Sequence, residues 1–267
     1  MPAQSAAFFD VDNTLLRGAS LFYLARGLHL RNFIATRDIL RAGWRQLTFR
    51  VGGAEHMDHM AHTREQALAF IAGWSVKDLT ELAEEILTEA LDTKLWPGTH
   101  ELAQQHLDAG EPVWLVTAAP VELARLIAAH LGLTGALGTV AETRDGYYTG
   151  RLVGELLHGG AKAVAVRKLA ATDGFDLSRC SAYSDSYNDL PMLSLVGHPC
   201  AINPDRRLAR YARMHGWRTQ DFRRGRRAVR LGMVTAGAAG LAAGAVALAR
   251  RRTSSKESRR KKTRSRE

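Results

Sequence analysis

The chain has 267 residues, of which 46% are hydrophobic, and its formal net charge at pH 7 is +10. That length is enough to bury one substantial core together with a small second domain. Two cysteines are too few for a disulfide framework, and the short, uncharged start before Asp10 has no apolar run long enough for a signal peptide. A disulfide-stapled secreted protein is therefore excluded, and we expect a cytoplasmic one.

The first predicted strand leads directly into two acids. Phe8 and Phe9 are followed by Asp10 and, two residues later, Asp12. Like charges this close raise each other's pKa unless a cation or a division of roles separates them. The pair therefore indicates a metal site or acid/base chemistry, with an Asp-rich turn capped by Asn13 as the structural alternative.

Residues 21–95 are predicted to be mostly helical. In the last part of this segment, apolar residues recur at helical spacing and acids occupy the complementary face. The apolar set is Leu79, Leu82, Ala83, Ile86 and Leu87, and the acids are Glu81, Glu84, Glu85 and Glu89. Earlier in the segment, His56, His59 and His62 drift around a helix with no carboxylate pattern beside them, so we do not predict a metal site there.

From Leu95 onward, predicted helices and apolar strands alternate, which favours a mostly parallel sheet with its ligand site at the carboxyl ends of the strands. The predicted elements are a helix over 98–109, a strand over 113–116, a helix over 121–131 and a hairpin with strands 139–141 and 147–152 around Asp145 and Gly146.

Two single residues in this half could take part in chemistry. The predicted strand 113–116 runs into Thr117, whose hydroxyl, with nearby backbone N–H groups, can hold phosphate oxygens. A lone Thr before a helix is more often an N-cap. Lys162 stands at the start of a predicted helix over 163–171. A single lysine in that place is usually a solvated surface charge, so both alternatives remain open from the residues alone.

Residues 180–193 repeat the pattern of small and apolar residues that run into acids, here Asp185 and Asp189. Two acidic strand ends in one α/β sheet can converge on a single cation. Mg²⁺ prefers a few carboxylate oxygens, water and a substrate phosphate. Neither His nor Cys clusters near these acids, so magnesium is predicted in preference to zinc.

The positive charge lies at the end of the chain. Residues 250–267 carry +8 and residues 218–230 carry +5, which leaves −3 for residues 1–217. Between the basic segments, residues 231–249 contain no charged side chain. As a helix at about 1.5 Å per residue they would nearly cross a hydrocarbon core of about 30 Å. We predict a basic linker over 218–230, a candidate membrane helix over 231–249 and a disordered basic tail over 250–267.

The candidate membrane helix has three interpretations. A spanning helix would carry the basic tail across the bilayer, against the positive-inside tendency. A helix that lies on anionic lipid avoids that conflict, and a flexible Ala/Gly segment is the structural alternative. We expect attachment to the inner face of the cell membrane. The tail lacks the repeated aromatic residues that stack on bases, so nucleic acid is not the predicted partner.

The order Asp-x-Asp-x-Thr, Thr, Lys and Asp-x-x-x-Asp resembles the four motifs of the haloacid dehalogenase superfamily, over roughly residues 6–217. The wording of residues 183–193 and the turn at 203–205 are similar to its phosphoserine-phosphatase-like IB subfamily. The resemblance implies a Rossmann-like α/β core of residues 1–17 and 96–217. It also implies a helical cap of the C1 type, inserted as residues 18–95.

The resemblance further implies a Mg²⁺-dependent phosphomonoester hydrolase that works through an aspartyl-phosphate. Asp10 would be the nucleophile, Asp12 the general acid and then base, and Lys162 the cation that offsets charge. Asp189 would support either the metal or the lysine. The implied substrate-binding residues are Thr117, Ala118 and Asn188, and the implied metal ligands are Asp10, Asp12, Asp185 and Asp189.

The departures from the subfamily concern the substrate. The glutamate that grips the amine of phosphoserine is absent, because residues 17–21 contain no acid, and Ser184 and Ser186 replace the usual glycines around Asp185. With the apolar residues 21–23 and the membrane-seeking end, these changes favour a hydrophobic or lipid-derived phosphomonoester. The alternatives are a phosphotransferase of the same fold, or a non-catalytic scaffold or nucleic-acid-binding protein that uses the basic tail.

Overall fold

Three consecutive buried residues, Ala7–Phe9, form β1 at the middle of a parallel six-stranded sheet. The computed structural model describes residues 4–31 and 71–223. The strands lie in the order β3-β2-β1-β6-β7-β8, and every neighbouring pair is parallel. The other five are β2 (Val113–Pro120), β3 (Gly135–Thr139), β6 (Ser181–Ser184), β7 (His198–Ile202) and β8 (Arg218–Gln220). The predicted α/β class with a mostly parallel sheet is therefore confirmed.

Helices connect these strands. They are α1 (Ser20–Leu30), α2 (Val76–Lys94), α3 (Pro97–Asp108), α4 (Val121–His130), α5 (Gly160–Asp173), α6 (Leu190–Leu193) and α7 (Arg206–Met214). Local sequence explains several ends. The Ser75 side chain accepts a hydrogen bond from the backbone N–H of Asp78 and caps α2, and Gly174 ends α5 in the left-handed conformation that glycine tolerates best. The predicted helices over 98–109 and 121–131 are confirmed to within one residue at each end.

The predicted hairpin is present, but the position of its first strand was wrong. The hairpin consists of β4 (Ala141–Arg144) and β5 (Tyr147–Leu152), and Asp145 and Gly146 both adopt positive φ in the turn. Thr139 instead ends β3 and pairs with Pro120 in the main sheet. Only Val140 separates the two strands, so the sequence shows no turn signal there.

Two helices of the predicted cap pack against each other through small and apolar residues. A Cβ added at Gly27 of α1 would approach Ile86 of α2 to within 2.4 Å, so the glycine permits close contact. The predicted two-sided pattern of α2 is confirmed. Ala83, Ile86 and Leu87 are buried, whereas the four glutamates of the predicted polar face are exposed. The histidines at 56, 59 and 62 lie outside the described residues, and the extent of the cap over 18–95 stays a prediction.

The chain divides into two units, Met1–Gln220 and Asp221–Glu267. The sheet extends to Gln220 through edge strand β8. Residues 218–220, which we expected in the basic linker, therefore belong to the sheet. Within the described residues, no helix is long and apolar enough to cross a membrane. The candidate membrane helix 231–249 and the tail 250–267 lie outside the described residues.

Candidate active site

The parallel pairing of β1 with β6 brings two of the predicted acids to one edge of the sheet. Phe9 is the register partner of Tyr183, and the backbone N–H of Asp10 donates to the Tyr183 carbonyl oxygen at 2.9 Å. The rings of Phe9 and Tyr183 also stack, with centroids 4.2 Å apart. Asp10 and Asp185 therefore leave the carboxyl ends of neighbouring strands in a fixed register, as expected for a ligand site of an α/β sheet.

Lys162, in the first turn of α5, lies at this edge and is only 3% exposed. Its Nζ donates to Asp10 Oδ1 at 2.6 Å and to Asp189 Oδ2 at 2.8 Å. The alternative of a solvated surface lysine is therefore wrong. Ser184 Oγ donates to the same Asp189 oxygen at 2.7 Å, so a buried hydroxyl also holds the second carboxylate that Lys162 contacts.

Burial of several acids around one lysine shifts their pKa values. Burial raises the pKa of Asp10 to about 6, although Lys162 opposes the shift. The pKa of Asp185 rises to about 7 because of burial and then because Asp10 and Asp189 lie nearby. Burial lowers the pKa of Lys162, but the same two acids together raise it above its ordinary value. The site holds more carboxylates than cations, and further positive charge would stabilise it.

Asp12 is held separately, by the start of α1. The backbone N–H of Ser20 donates to Asp12 Oδ1 at 2.8 Å. This contact orients the Asp12 carboxylate from the start of the helix. The turn between them closes on Asn13, which has a φ of 63° and whose Oδ1 accepts from the N–H of Gly18 at 3.1 Å. The Asn-closed turn and the acid cluster, which we had treated as alternatives, are both present.

The remaining predicted residues lie around the same strand ends. Thr117 is buried in β2, and its Oγ1 accepts from the backbone N–H of Ala119 at 3.1 Å. The N-cap of α4 is Pro120, so the N-cap role for Thr117 is wrong. The carbonyl of Ala118 accepts from Thr139 Oγ1 at 2.7 Å. Asn188 lies exposed in the 3₁₀ turn between Asp185 and α6. The roles of Thr117, Ala118 and Asn188 toward a substrate stay predictions.

The donors at this edge fit Mg²⁺. Asp10 and Asp185 offer carboxylate oxygens beside an excess of negative charge, and Thr14 Oγ1 lies 3.4 Å from Asp185 Oδ1. In the parts of the chain that the structure describes, no three or more His, Cys, Asp or Glu residues form a protein-only cage. Mg²⁺ needs no such cage, because water and substrate oxygens complete its shell. Asp189 is bonded to Lys162 and Ser184, so of its two expected roles the contacts favour support of the lysine.

Two contributions were missed in the sequence. The replacement of glycine by Ser184 was visible, but its bond to Asp189 depends on the tertiary structure. The second is a polar network behind β1 and β6, for which the sequence contains no local signal. In it, His106 Nε2 lies 2.7 Å from the Tyr183 hydroxyl, its Nδ1 contacts Glu111, and Ser5 Oγ donates to Glu111 at 2.6 Å. The three contacts join residues that are 5, 77 and 106 positions apart along the chain, and only folding brings the four residues together.

Comparisons with known proteins agree with this geometry. Residues 7–194 match the model of the haloacid dehalogenase-like hydrolase family, and the chain belongs to that family. It is 57% identical over 251 residues to phosphoserine phosphatase SerB1 of Mycobacterium tuberculosis, over 94% of this chain and 82% of that one. A Bordetella pertussis Tohama I protein of unknown function matches with a TM-score of 0.72 and 29% identity, over 82% of this chain and 99% of that one.

A structure of phosphoserine phosphatase as a phospho-aspartyl intermediate analogue matches with a TM-score of 0.55 and 19% identity, over 78% of this chain and 90% of that one. At that identity the likeness concerns the fold alone. Together with the family match, these relatives confirm the resemblance inferred from the motifs and the enzyme class expected from it, a phosphatase of the haloacid dehalogenase type.

Ser184→Ala tests the positioning role of the buried hydroxyl. Without it, Asp189 keeps only the lysine, and we expect kcat to fall about tenfold with KM changed less than twofold, the scale of one hydrogen bond to a charged group. The matched control is Ser178→Ala, which removes an exposed hydroxyl bonded to Asp176. A fall in thermal stability with unchanged kcat would show that Ser184 serves the fold alone.

Asp185→Asn tests whether excess negative charge destabilises the site. The free energy of unfolding of the variant and of wild type is compared with a chelator present, so that no Mg²⁺ is bound. Because the folded-state pKa of Asp185 is raised to about 7, the free energy of unfolding falls as pH rises from about 4 toward 7 and stays low above it. We expect the variant to be more stable than wild type by about 1 to 3 kcal/mol at pH 8, and not at pH 4. Mg²⁺ should raise the melting temperature of wild type only. An equal response of both proteins to Mg²⁺ would exclude Asp185 as a ligand.

Proposed function

We propose that this chain is a Mg²⁺-dependent phosphomonoester hydrolase that works through an aspartyl-phosphate on Asp10. The observation that carries the proposal is the pair of contacts that Lys162 makes with the buried carboxylates of Asp10 and Asp189, near the half-buried carboxylate of Asp185. Lys162 engages Asp10 Oδ1, which leaves Oδ2 as the oxygen available for attack on phosphorus. A lysine held in this way offsets the negative charge that the phosphoryl group brings.

The first step forms a bond between Asp10 Oδ2 and phosphorus, and the bond from phosphorus to the substrate alcohol breaks. Asp12 donates a proton to the departing alcohol oxygen. In the second step, Asp12 takes a proton from water, the water oxygen bonds to phosphorus, and the aspartyl bond breaks to release inorganic phosphate. The hydrogen bond from the Ser20 N–H supports this division of labour, because it orients Asp12 independently of Lys162.

Asp10 and Asp185 would hold Mg²⁺, together with the backbone or side chain of Asp12 as a further oxygen donor. The bound ion would supply positive charge to the phosphoryl oxygens and keep the buried carboxylates ionised. Thr117 and the N–H groups at the end of β2 would hold the other phosphoryl oxygens. Ala118 and Asn188 would line the place where the phosphate enters.

The substrate proposal rests on the first turn of α1. Leu21 and Phe22 are 46% and 62% exposed, and they follow directly in sequence after Ser20, whose N–H group holds Asp12. We assign no substrate contact to Arg17, because its Nη2 donates within the protein, to the Leu95 carbonyl at 3.0 Å. These observations favour a phosphomonoester with an apolar, lipid-derived alcohol. Phosphoserine is the second candidate, because the relative at 57% identity carries that name.

Two alternatives keep the same fold but change the outcome. A phosphotransferase would pass the phosphoryl group from Asp10 to an alcohol, and the amounts of free phosphate and phosphorylated alcohol distinguish it from a hydrolase. A non-catalytic scaffold has no physical need for a buried lysine between two acids, since pairing buried charges is costly. The assembled site therefore disfavours the scaffold.

The membrane prediction is also part of the proposed function. The uncharged segment 231–249 and its basic flanks would attach the protein to the inner face of the cell membrane, near a lipid-derived substrate. This part of the proposal rests on the sequence, because the segment lies outside the described residues.

Asp10→Asn should abolish Mg²⁺-dependent release of phosphate from p-nitrophenyl phosphate, by about a thousandfold or more, because an amide cannot form the aspartyl-phosphate. Asp12→Asn should slow turnover and accumulate phosphorylated protein, measured by intact mass. The matched control is Asp108→Asn at the exposed end of α3. If Asp10→Asn kept activity while Asp108→Asn behaved as wild type, Asp10 would not be the nucleophile.

A panel of phosphomonoesters tests the substrate class. We expect lysophosphatidate-like substrates to have a higher kcat/KM than phosphoserine. Phe22→Ala should lower that value about tenfold for the lipid-derived substrate, the scale of one lost apolar contact, and leave phosphoserine unchanged. Val164→Ala, at a valine that is 61% exposed on α5, is the control. A preference for phosphoserine would establish the second candidate.

A further inference from the structure

The outward face of α7 is built from arginines. Arg206, Arg207, Arg210 and Arg213 are all exposed, while Leu208 and Ala212 are fully buried. At about 100° per residue, Arg206, Arg210 and Arg213 fall within a stripe of about 60° opposite the buried pair. Met214 is 66% exposed and lies between this stripe and Arg207. The basic face spans about 10 Å along the helix.

No acid of the described residues forms an ion pair with any of these four arginines. Arg207 lies over the ring of Tyr187, with 4.3 Å from Cζ to the ring centroid. The N-cap residue Asp205 instead accepts from the backbone N–H groups of Leu208 and Tyr187. Like charges three and four residues apart destabilise a helix, and arginines in its first turn oppose the helix dipole. The arrangement costs stability locally, which points to an anionic partner outside the molecule.

The arginine face begins at the catalytic edge of the sheet. α7 follows the carboxyl end of β7, and the backbone N–H of Asp205 donates to the Asp185 carbonyl at 2.7 Å. Tyr187, under Arg207, is two residues from Asp185. A planar anionic surface that covers α7 would therefore border the opening of the active site.

We propose that the arginine face of α7 docks the catalytic unit on an anionic lipid surface, with the active site at its margin. The face is one-sided, basic and carries an exposed methionine, which suits headgroups with acyl chains beneath them. Nucleic acid fits less well, because the nearby aromatic residues Tyr187, Tyr211 and Trp217 are partly buried. Tyr211 packs against the other two, with ring centroids 6.1 and 5.2 Å apart. The uncharged segment 231–249, eleven residues beyond Gln220, favours the same surface.

The docking face deepens the membrane attachment in the proposed function, on which it rests, and its test needs no catalysis. Full-length protein is mixed with vesicles of phosphatidylcholine alone or with 30 mol% phosphatidylglycerol (about the charge of an anionic leaflet), and bound protein is measured by sedimentation. The variant R206Q/R207Q/R210Q/R213Q removes the face. The control R125Q/R144Q/R167Q/K168Q removes four exposed positive charges elsewhere. The pair R210Q/R213Q is a milder variant if the quadruple one does not fold.

We expect wild type and the control to bind anionic vesicles within about twofold of each other. The quadruple variant should bind at least about tenfold more weakly and the pair about threefold more weakly, with melting temperatures no lower than that of wild type. Higher salt should weaken wild-type binding more than that of the quadruple variant. Equal binding of the control and quadruple variants would overturn the proposal, because total charge would then suffice. So would binding of wild type to duplex RNA or DNA and not to anionic vesicles.

Discussion

The buried contact of Lys162 with Asp10 and Asp189 is the interaction on which the site depends. It joins β1, α5 and the turn after β6, segments that are 152 and 27 residues apart along the chain. A buried ammonium or carboxylate is expensive unless it is paired, and loss of one partner leaves an uncompensated charge. The same contact therefore ties the Asp10 carboxylate to the fold and leaves its Oδ2 for the proposed attack on phosphorus.

The parallel sheet determines the positions of Asp10 and Asp185, and it holds their negative charges near each other. Stacked Phe9 and Tyr183 hold the two acidic strand ends in register, so Asp10 and Asp185 cannot move apart to relieve their repulsion. Burial raises the pKa values of both acids, and the nearby Asp10 and Asp189 raise that of Asp185 further. A bound cation would offset the excess of carboxylates at this edge, as the proposed Mg²⁺-dependent phosphoryl transfer requires.

Helix α1 both contacts Asp12 and carries exposed apolar side chains. Its first N–H group holds Asp12, and the next two side chains, Leu21 and Phe22, are apolar and exposed. A change in the orientation of this helix would therefore move Asp12, the proposed acid/base residue, together with the two exposed apolar side chains. Its close packing on α2 at Gly27 limits such changes.

Strand periodicity and motif order are local properties of the chain, and they were enough to predict the family, the parallel α/β sheet and the identity of the acids. The sequence left Thr117 and Lys162 with ordinary structural alternatives, and it misplaced the hairpin strand where one residue separates β3 from β4. The burial of Lys162 between two acids and the bond from Ser184 to Asp189 became visible only in the folded protein. The lysine contacts join residues 152 and 27 positions apart, and the free energy of all three contacts comes from burial and charge pairing, which no local pattern records.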